Sequence, residues 1–241
     1  MPYAAINGLN IYYEVHGAGP PLLLLHGGSG SIPVKWIPFF STQFQVIAME
    51  QMGHGRTADA TDRAFHYRDM AEDTVELMRQ LAIGSVVIVG YSDGGIIGLD
   101  IAIHHPERVT SLVLTGVNAR TDGYTVENQE WTRTFDPDDE PISEAYSRLS
   151  PDGPDHWPIV LGRLKTMWIA EPGFTHAELQ RIEAPTLIIV GDRDIVRPEH
   201  AVEMFRTIPE AQLCVVPRAG HGVLPKETVL TFLEETRAGD H

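Results

Sequence analysis

The stretch "VVIVGYSDGGIIGL", residues 86–99, joins a strand-like apolar run to a helix-like one through Gly-Tyr-Ser-Asp-Gly-Gly. A turn this tight forces Ser92 into a strained backbone conformation, and neighbouring glycines keep the turn free of clashes. The hydroxyl of Ser92 then projects above the end of the strand, beside the free N–H groups of the following helix. The pattern Gly-x-Ser-x-Gly in this context predicts a nucleophilic serine, although the same letters also fit an ordinary glycine turn.

Around this turn the chain alternates apolar runs of strand length with segments of helical periodicity. Predicted strands cover residues 3–6, 10–15, part of 20–28, 45–50, 85–90, 109–116, 184–191 and 211–217, and predicted helices cover 69–83, 94–104, 198–207 and 225–237. The first two strands join at Asn7-Gly8, a strong hairpin signal. The alternation predicts an α/β fold with a mostly parallel central sheet and helices on both faces.

The alternation breaks between residues 117 and 183, where no strong strand signal occurs. We predict a core domain of residues 1–116 and 184–241, and a short helical lid or cap formed by residues 117–183. Trp157 and Trp168 lie in this segment and are candidates to line a substrate pocket. Alternatively, such aromatic residues form a small core of the lid itself.

Composition narrows the possible partners. The 241 residues carry a formal charge of −15, which repels nucleic acids, and no basic stripe offsets it. No apolar run approaches the roughly 18–20 residues of a membrane span, and no secretory signal is visible. We therefore expect a cytoplasmic protein without nucleic-acid or membrane partners. The single cysteine, Cys214, excludes an internal disulfide framework and is interpreted as a small core residue of a buried strand.

A nucleophilic serine needs a base, and the base needs an orienting acid. His221 in "PRAGHGVLP" follows the last predicted strand, and Asp194 in "VGDRDIVRP" follows the preceding one. Both therefore belong to the sheet edge that carries Ser92, in the chain order serine, acid, histidine. Asp192 competes with Asp194 for the role of the acid, but it can instead hold the turn by accepting backbone N–H bonds.

A third glycine-rich element, "LLLLHGGSGS" (22–31), ends another apolar strand. Glycines there let backbone N–H groups approach a substrate oxygen closely. The N–H groups of Gly28 and Asp93 are thus candidates for a two-donor oxyanion hole. The alternatives are a flexible loop that binds nothing and a phosphate cradle, although no Gly-Lys-Ser/Thr follows.

The motifs "HGG" (26–28), "GHG" (53–55), "GYSDGG" (90–95), "HPERV" (105–109), "GDRD" (191–194) and "RAGH" (218–221) together resemble the α/β-hydrolase superfamily over nearly the whole chain. The resemblance implies that Ser92 is the nucleophile and His221 the base. It selects Asp194 over Asp192 as the acid, because the family places the acid at the fourth position of Gly-x-x-Asp. It also matches Gly28 to the first oxyanion donor.

The aspartate directly after the serine has two interpretations. "GYSDGG" is similar to the valacyclovir hydrolase-like branch, whose members carry Asp at this place and prefer amino-acid esters. By this resemblance the side chain of Asp93 holds a cationic group of the substrate. In the alternative interpretation, the Asp93 carboxylate caps the first turn of the following helix.

The expected activity is hydrolysis of small to medium carboxylic esters through an acyl-enzyme on Ser92, with no metal and no organic cofactor. Hydrolysis of a carbon–carbon bond, or of a lactone, with the same triad remains an alternative. A further alternative is a ligand-binding protein on a hydrolase fold, because fold alone does not fix function.

Overall fold

The computed structural model describes residues 3–238 and is built around an eight-stranded sheet. In chain order the strands are β1 (Tyr3–Ile6), β2 (Leu9–His16), β3 (Pro21–Leu25), β4 (Gln45–Met49), β5 (Val86–Tyr91), β6 (Val109–Thr115), β7 (Thr186–Gly191) and β8 (Ala211–Val216). They lie side by side in the order β1-β2-β4-β3-β5-β6-β7-β8. The pairs β1–β2 and β2–β4 are antiparallel, and every other pair is parallel. The mostly parallel sheet expected from the sequence is confirmed.

Helices cover both faces of the sheet. In chain order they are α1 (Ile37–Phe40), α2 (Tyr67–Gln80), α3 (Asp93–His104), α4 (Val126–Thr134), α5 (Glu144–Leu149), α6 (Trp157–Ala170), α7 (His176–Leu179), α8 (Pro198–Thr207) and α9 (Lys226–Ala238). Helices α2, α3 and α8 share one apolar core, and α1 and α9 share another. In β3, Leu23 and Leu25 point into the first core and Leu22 and Leu24 into the second, as the two-residue period of a strand requires.

Local sequence signals explain most element ends. Asn7 and Gly8 both have positive φ, 47° and 86°, and form the predicted two-residue hairpin loop between β1 and β2. Helix α8 begins at Pro198 as predicted. Helix α2 was predicted to extend to residue 83 but ends at Gln80, since Ala82 has a φ of 55° that no α-helix accommodates.

One prediction about the core is wrong. Cys214 was expected to be a buried core residue, but its side chain is only partly covered. It lies in β8, which is the last strand of the sheet and has a neighbour on one side only. An edge strand exposes more of its surface than the central strands do.

Residues 117–183 connect β6 to β7 and contain α4, α5, α6 and α7. All of these residues are described, and their β-pairing consists of two isolated bridges, Arg120 with Gly173 and Tyr124 with Val196. The segment, called the insertion below, is helical as predicted; its identity as a separate lid stays a prediction. None of the helices within residues 3–238 combines the length and the apolar character needed to cross a bilayer.

Candidate active site

Ser92 occupies the tight turn between β5 and α3, with φ 51° and ψ −122°. This conformation is strained for a residue with a side chain, as the sequence predicted. Glycine is required at positions 90 and 94 because neighbouring backbone atoms leave no space for a Cβ atom. A Cβ atom on Gly90 would lie 2.5 Å from Gly95 Cα, and one on Gly94 would lie 2.5 Å from the carbonyl oxygen of His26. The turn therefore presents Ser92 at the carboxyl end of β5 and admits no side chain at positions 90 and 94.

The loops after β7 and β8 bring an imidazole and a carboxylate to this serine. His221 Nε2 lies 3.1 Å from Ser92 Oγ, and His221 Nδ1 lies 2.7 Å from Asp194 Oδ1. The competing carboxylate, Asp192, accepts a hydrogen bond of 3.2 Å from the N–H of Ala219 and so holds the turn. The structure thus brings together the three side chains that the sequence singled out, with Asp194 and not Asp192 on the imidazole.

Gly116, at the end of β6, was not singled out from the sequence. Its φ is 61°, and a Cβ atom there would lie 2.8 Å from both Nδ1 and Cε1 of His221. The backbone therefore approaches the imidazole edge closely. The missing side chain of Gly116 leaves room for the His221 ring between Ser92 and Asp194. The neighbouring hydroxyl of Thr115 donates a hydrogen bond to the carbonyl of Val223 and anchors the loop that carries His221. The sequence signal that could have predicted this close approach is a glycine at the end of a predicted strand.

Gly28 and Asp93, the two predicted oxyanion donors, each carry a backbone N–H without a backbone acceptor in the described part of the chain. Asp93 is the first residue of α3, so its N–H has no acceptor within the helix. The N–H of Gly28 donates to no other backbone group in the described part of the chain. Gly28, Ser92 and Asp93 line the same cavity. A Cβ atom on Gly28 would collide with Asp93 Oδ2 and lie 2.7 Å from the indole of Trp168, so only glycine fits there.

Two histidines that the sequence did not connect to one another support the Gly28 loop. His26 Nε2 accepts from the N–H of Gln51 at 3.0 Å, and His54 Nε2 accepts from the N–H of Ser29 at 3.2 Å. The two rings lie 5.0 Å apart. Burial lowers the pKa of His26 to about 3 and also lowers that of His54. Both rings are therefore neutral and can accept these bonds.

The carboxylate of Asp93 is buried and held by two side-chain donors. The hydroxyl of Tyr67 lies 2.9 Å from Oδ1, and the indole N–H of Trp168 lies 2.9 Å from Oδ2. Burial raises the pKa of the Asp93 carboxyl. Both oxygens bond to side chains from α2 and α6, so the predicted capping of α3 by this carboxylate is wrong. Asp93 is also one of the residues that line the cavity beside Ser92.

The cavity beside Ser92 has a volume of about 200 Å³ and opens between the sheet edge and the insertion. Its aromatic wall includes Tyr124, Trp131 and Trp168. Trp157, which the sequence also suggested, does not line it: its indole is 5% exposed and packs 5.1 Å from the ring of Tyr146. Eleven residues bring Trp157 and Trp168 to the same face of α6 but about 16 Å apart along the axis.

No group of three or more His, Cys, Asp and Glu side chains suited to a metal ion occurs within residues 3–238. The polar groups that face the cavity beside Ser92 are instead hydroxyls, amides, one imidazole and the Asp93 carboxyl. Such a set can donate protons, accept them and stabilise charge, which are the functions that acyl transfer requires.

Comparisons with known proteins agree with this architecture. The sequence profile of the alpha/beta hydrolase fold family matches residues 20–148. A RutD protein of Azorhizobium caulinodans, provisionally named a carbamate hydrolase, is 30% identical over 92% of this chain and 91% of its own. The 2-hydroxy-6-oxo-6-(2'-aminophenyl)hexa-2,4-dienoic acid hydrolase of Metapseudomonas resinovorans is 29% identical over 89% of this chain and 82% of its own.

Among solved structures, one from a study of carboxylesterases of Nitrososphaera gargenis has a TM-score of 0.76 and 25% identity. The alignment covers 99% of this chain and 100% of that one. The chain therefore belongs to the α/β-hydrolase fold family, and it is a hydrolase.

Proposed function

We propose that this chain is a serine hydrolase that cleaves carboxylic esters of small to medium size through an acyl-enzyme on Ser92. The observation that carries the proposal is the continuous hydrogen-bonded series from Asp194 through His221 to Ser92. A strained serine at the end of such a series, beside two backbone N–H donors, has the parts that acyl transfer uses.

In the acylation step, Ser92 Oγ attacks the carbonyl carbon of the ester while His221 Nε2 takes the hydroxyl proton. Asp194 keeps the imidazole in the tautomer that leaves Nε2 free, and stabilises the imidazolium that forms. The negative charge on the former carbonyl oxygen is stabilised by the N–H groups of Gly28 and Asp93. His221 then returns the proton to the leaving oxygen, which departs as the alcohol.

In the deacylation step, a water molecule takes the place of the alcohol. His221 accepts a proton from this water as its oxygen attacks the acyl carbon on Ser92. Collapse of the second tetrahedral intermediate releases the carboxylic acid, and His221 returns the proton to Ser92 Oγ. The cycle uses only side chains and backbone groups of this chain and water.

Two observations support an ester as the substrate. The similarity to the structure from the Nitrososphaera gargenis carboxylesterase study extends over nearly the whole chain. The cavity of about 200 Å³ is also smaller than the roughly 300–1,000 Å³ of typical ligand pockets, which favours short acyl groups. The RutD relative suggests carbamates as a variant carbonyl group that the same parts could attack.

A second candidate is hydrolysis of a carbon–carbon bond. It is favoured by the 29% identity to the 2-hydroxy-6-oxo-6-(2'-aminophenyl)hexa-2,4-dienoic acid hydrolase. That reaction breaks a bond to carbon and not to oxygen, so the leaving carbon departs as a stabilised carbanion that must then take a proton. Loss of the colour of such a dienoic acid on mixing with the protein would distinguish this candidate.

The test is hydrolysis of p-nitrophenyl acetate, butyrate and octanoate by the wild type and by Ser92→Ala. The proposal predicts turnover by the wild type that falls by at least about 10³-fold in the variant. The rate across the three chain lengths gives the size of the acyl site. If a folded wild type hydrolyses none of these esters, the ester proposal is wrong.

A further inference from the structure

A second cavity of about 160 Å³ borders the same imidazole from another side. It shares Gly28, Tyr91 and His221 with the cavity beside Ser92. Its remaining wall comes from the loop after β3 and from Gly222 in the loop after β8; the β3 loop contributes His26, Gly27, Gly30, Ser31, Pro33, Lys35 and Trp36. We call it the leaving-group groove.

The two cavities differ in the part of the site that they contact. The first contacts Ser92 and Asp93 and lies under the insertion. The groove contacts neither of those two residues and contacts Gly222 instead, while His221 borders both cavities. A carbonyl carbon bonded to Ser92 carries two branches, the acyl chain and the leaving oxygen. Two cavities that both have Gly28 and His221 in their walls can therefore take one branch each.

Opposite charges lie in the two cavities. Among residues 3–238, Asp93 is the only Asp, Glu, Lys or Arg that lines the first cavity, and Lys35 is the only one that lines the groove. Lys35 is exposed, and it takes part in none of the ion pairs formed within residues 3–238. In a chain with 33 acidic and 18 basic residues, a cation at this place is notable because most of the surface repels anions.

The groove also has an aromatic wall. The indole of Trp36 meets the ring of Tyr91 edge to face, with ring centroids 6.0 Å apart. The ring of Tyr91 in turn lies 5.0 Å from that of His221. A planar or apolar body can pack against these rings while an acidic group attached to it extends to Lys35.

We propose that the groove binds the leaving group of the ester, and that Lys35 selects leaving alcohols or phenols that carry a negative charge. This inference rests on the proposed function and names the substrate class of the same site. His221 borders the groove, so the leaving oxygen placed there receives the proton that His221 took from Ser92. The alcohol departs first through the groove while the acyl group stays on Ser92 in the other cavity.

The experiment compares phenyl acetate with 3-carboxyphenyl acetate, which share the acetyl group and differ in the charge of the leaving phenol. Lys35→Met removes the charge and keeps the length of the side chain. We expect it to lower kcat/KM for 3-carboxyphenyl acetate about two- to fivefold relative to phenyl acetate, because an exposed ion pair contributes modestly. Lys35→Arg restores most of the difference, and about 0.5 M salt reduces it in the wild type.

Two controls locate the effect. Monophenyl succinate carries its charge on the acyl side and leaves a neutral phenol, so Lys35→Met should not change its kcat/KM. Arg206→Met removes an exposed cation on α8, outside the groove, and should leave kcat/KM for all three esters unchanged.

The outcomes are distinct. Equal effects of Lys35→Met on both acetate esters, or an effect confined to the succinate, would overturn the assignment while leaving the esterase proposal intact. Absence of phenyl acetate hydrolysis in the wild type would instead overturn the proposed function, and this inference with it.

Discussion

Acidification tests the role of His26 in supporting the Gly28 loop. In the folded chain, His26 Nε2 accepts the N–H of Gln51, so a proton on Nε2 would oppose that N–H and break the bond. Burial lowers the pKa of His26 from 6.5 to about 3, whereas the unfolded chain keeps the ordinary value. Between about pH 6.5 and about pH 3 the unfolded state therefore binds up to one proton more than the folded state at this position.

The sign and size follow from linkage. Because the folded pKa is depressed, the stabilisation is complete above pH 6.5 and is lost as the pH falls toward about 3. In this window each pH unit lowers the free energy of unfolding by about 1.4 kcal/mol. From about pH 7.5 to about pH 5.5, protonation of His26 in the unfolded chain lowers the free energy of unfolding by about 1.4 kcal/mol. The change is about one pH unit's worth because the unfolded pKa lies in the middle of that interval.

The assay is urea unfolding of the wild type and of His26→Gln at these two pH values. Gln keeps an acceptor for the Gln51 N–H and has no titratable group. We expect the wild type to be the more stable at about pH 7.5, and its advantage over the variant to shrink by about 1.4 kcal/mol at about pH 5.5. An advantage that is the same at both pH values would refute the claim that the folded state keeps His26 neutral.

Three further predictions concern the cavity. Gly28→Ala should lower kcat on p-nitrophenyl butyrate by about 10²–10³-fold, since its Cβ collides with Asp93 Oδ2 and displaces the proposed oxyanion donor. Gly84→Ala, with open space around its Cβ, is the matched control and should keep full activity. Asp93→Ala should lower kcat/KM on α-amino esters about tenfold more than on uncharged esters of equal size, and equal losses on both would exclude a cation site at this carboxylate. Trp157→Ala should reduce the free energy of unfolding by about 3–5 kcal/mol and leave KM unchanged, because its indole is buried and does not line the cavity. Trp168→Ala should change KM, because Trp168 lines the cavity. A larger KM change in Trp157→Ala than in Trp168→Ala would contradict this assignment.

The positions of Ser92, Asp194 and His221 could be predicted because each follows a strand of a parallel sheet. The carboxyl ends of such strands meet at one edge, so strand prediction alone places these residues near one another. The strained φ of Ser92 and the need for Gly90 and Gly94 follow from the tightness of the turn, which is a local property of the sequence.

Other features depend on contacts between distant segments, which a single sequence does not reveal. The partners of the Asp93 carboxylate, Tyr67 and Trp168, come from α2 and α6. Cys214 is only partly covered because its strand lies at the edge of the sheet. Apolar periodicity predicts the strand but not its place in the strand order. Trp157 and Trp168 share a helix face, so periodicity could not separate the one that lines the cavity from the one that does not.

The measurement that tests the central claim most directly is rapid mixing of the wild type with p-nitrophenyl acetate, acid quenching and mass spectrometry of the intact protein and its peptides. An acyl-enzyme mechanism predicts a transient mass increase of one acetyl group, located on the peptide that contains Ser92 and formed with the burst of p-nitrophenol. Steady turnover without that adduct, or an adduct on another residue that persists in Ser92→Ala, would contradict the assignment of Ser92 as the nucleophile.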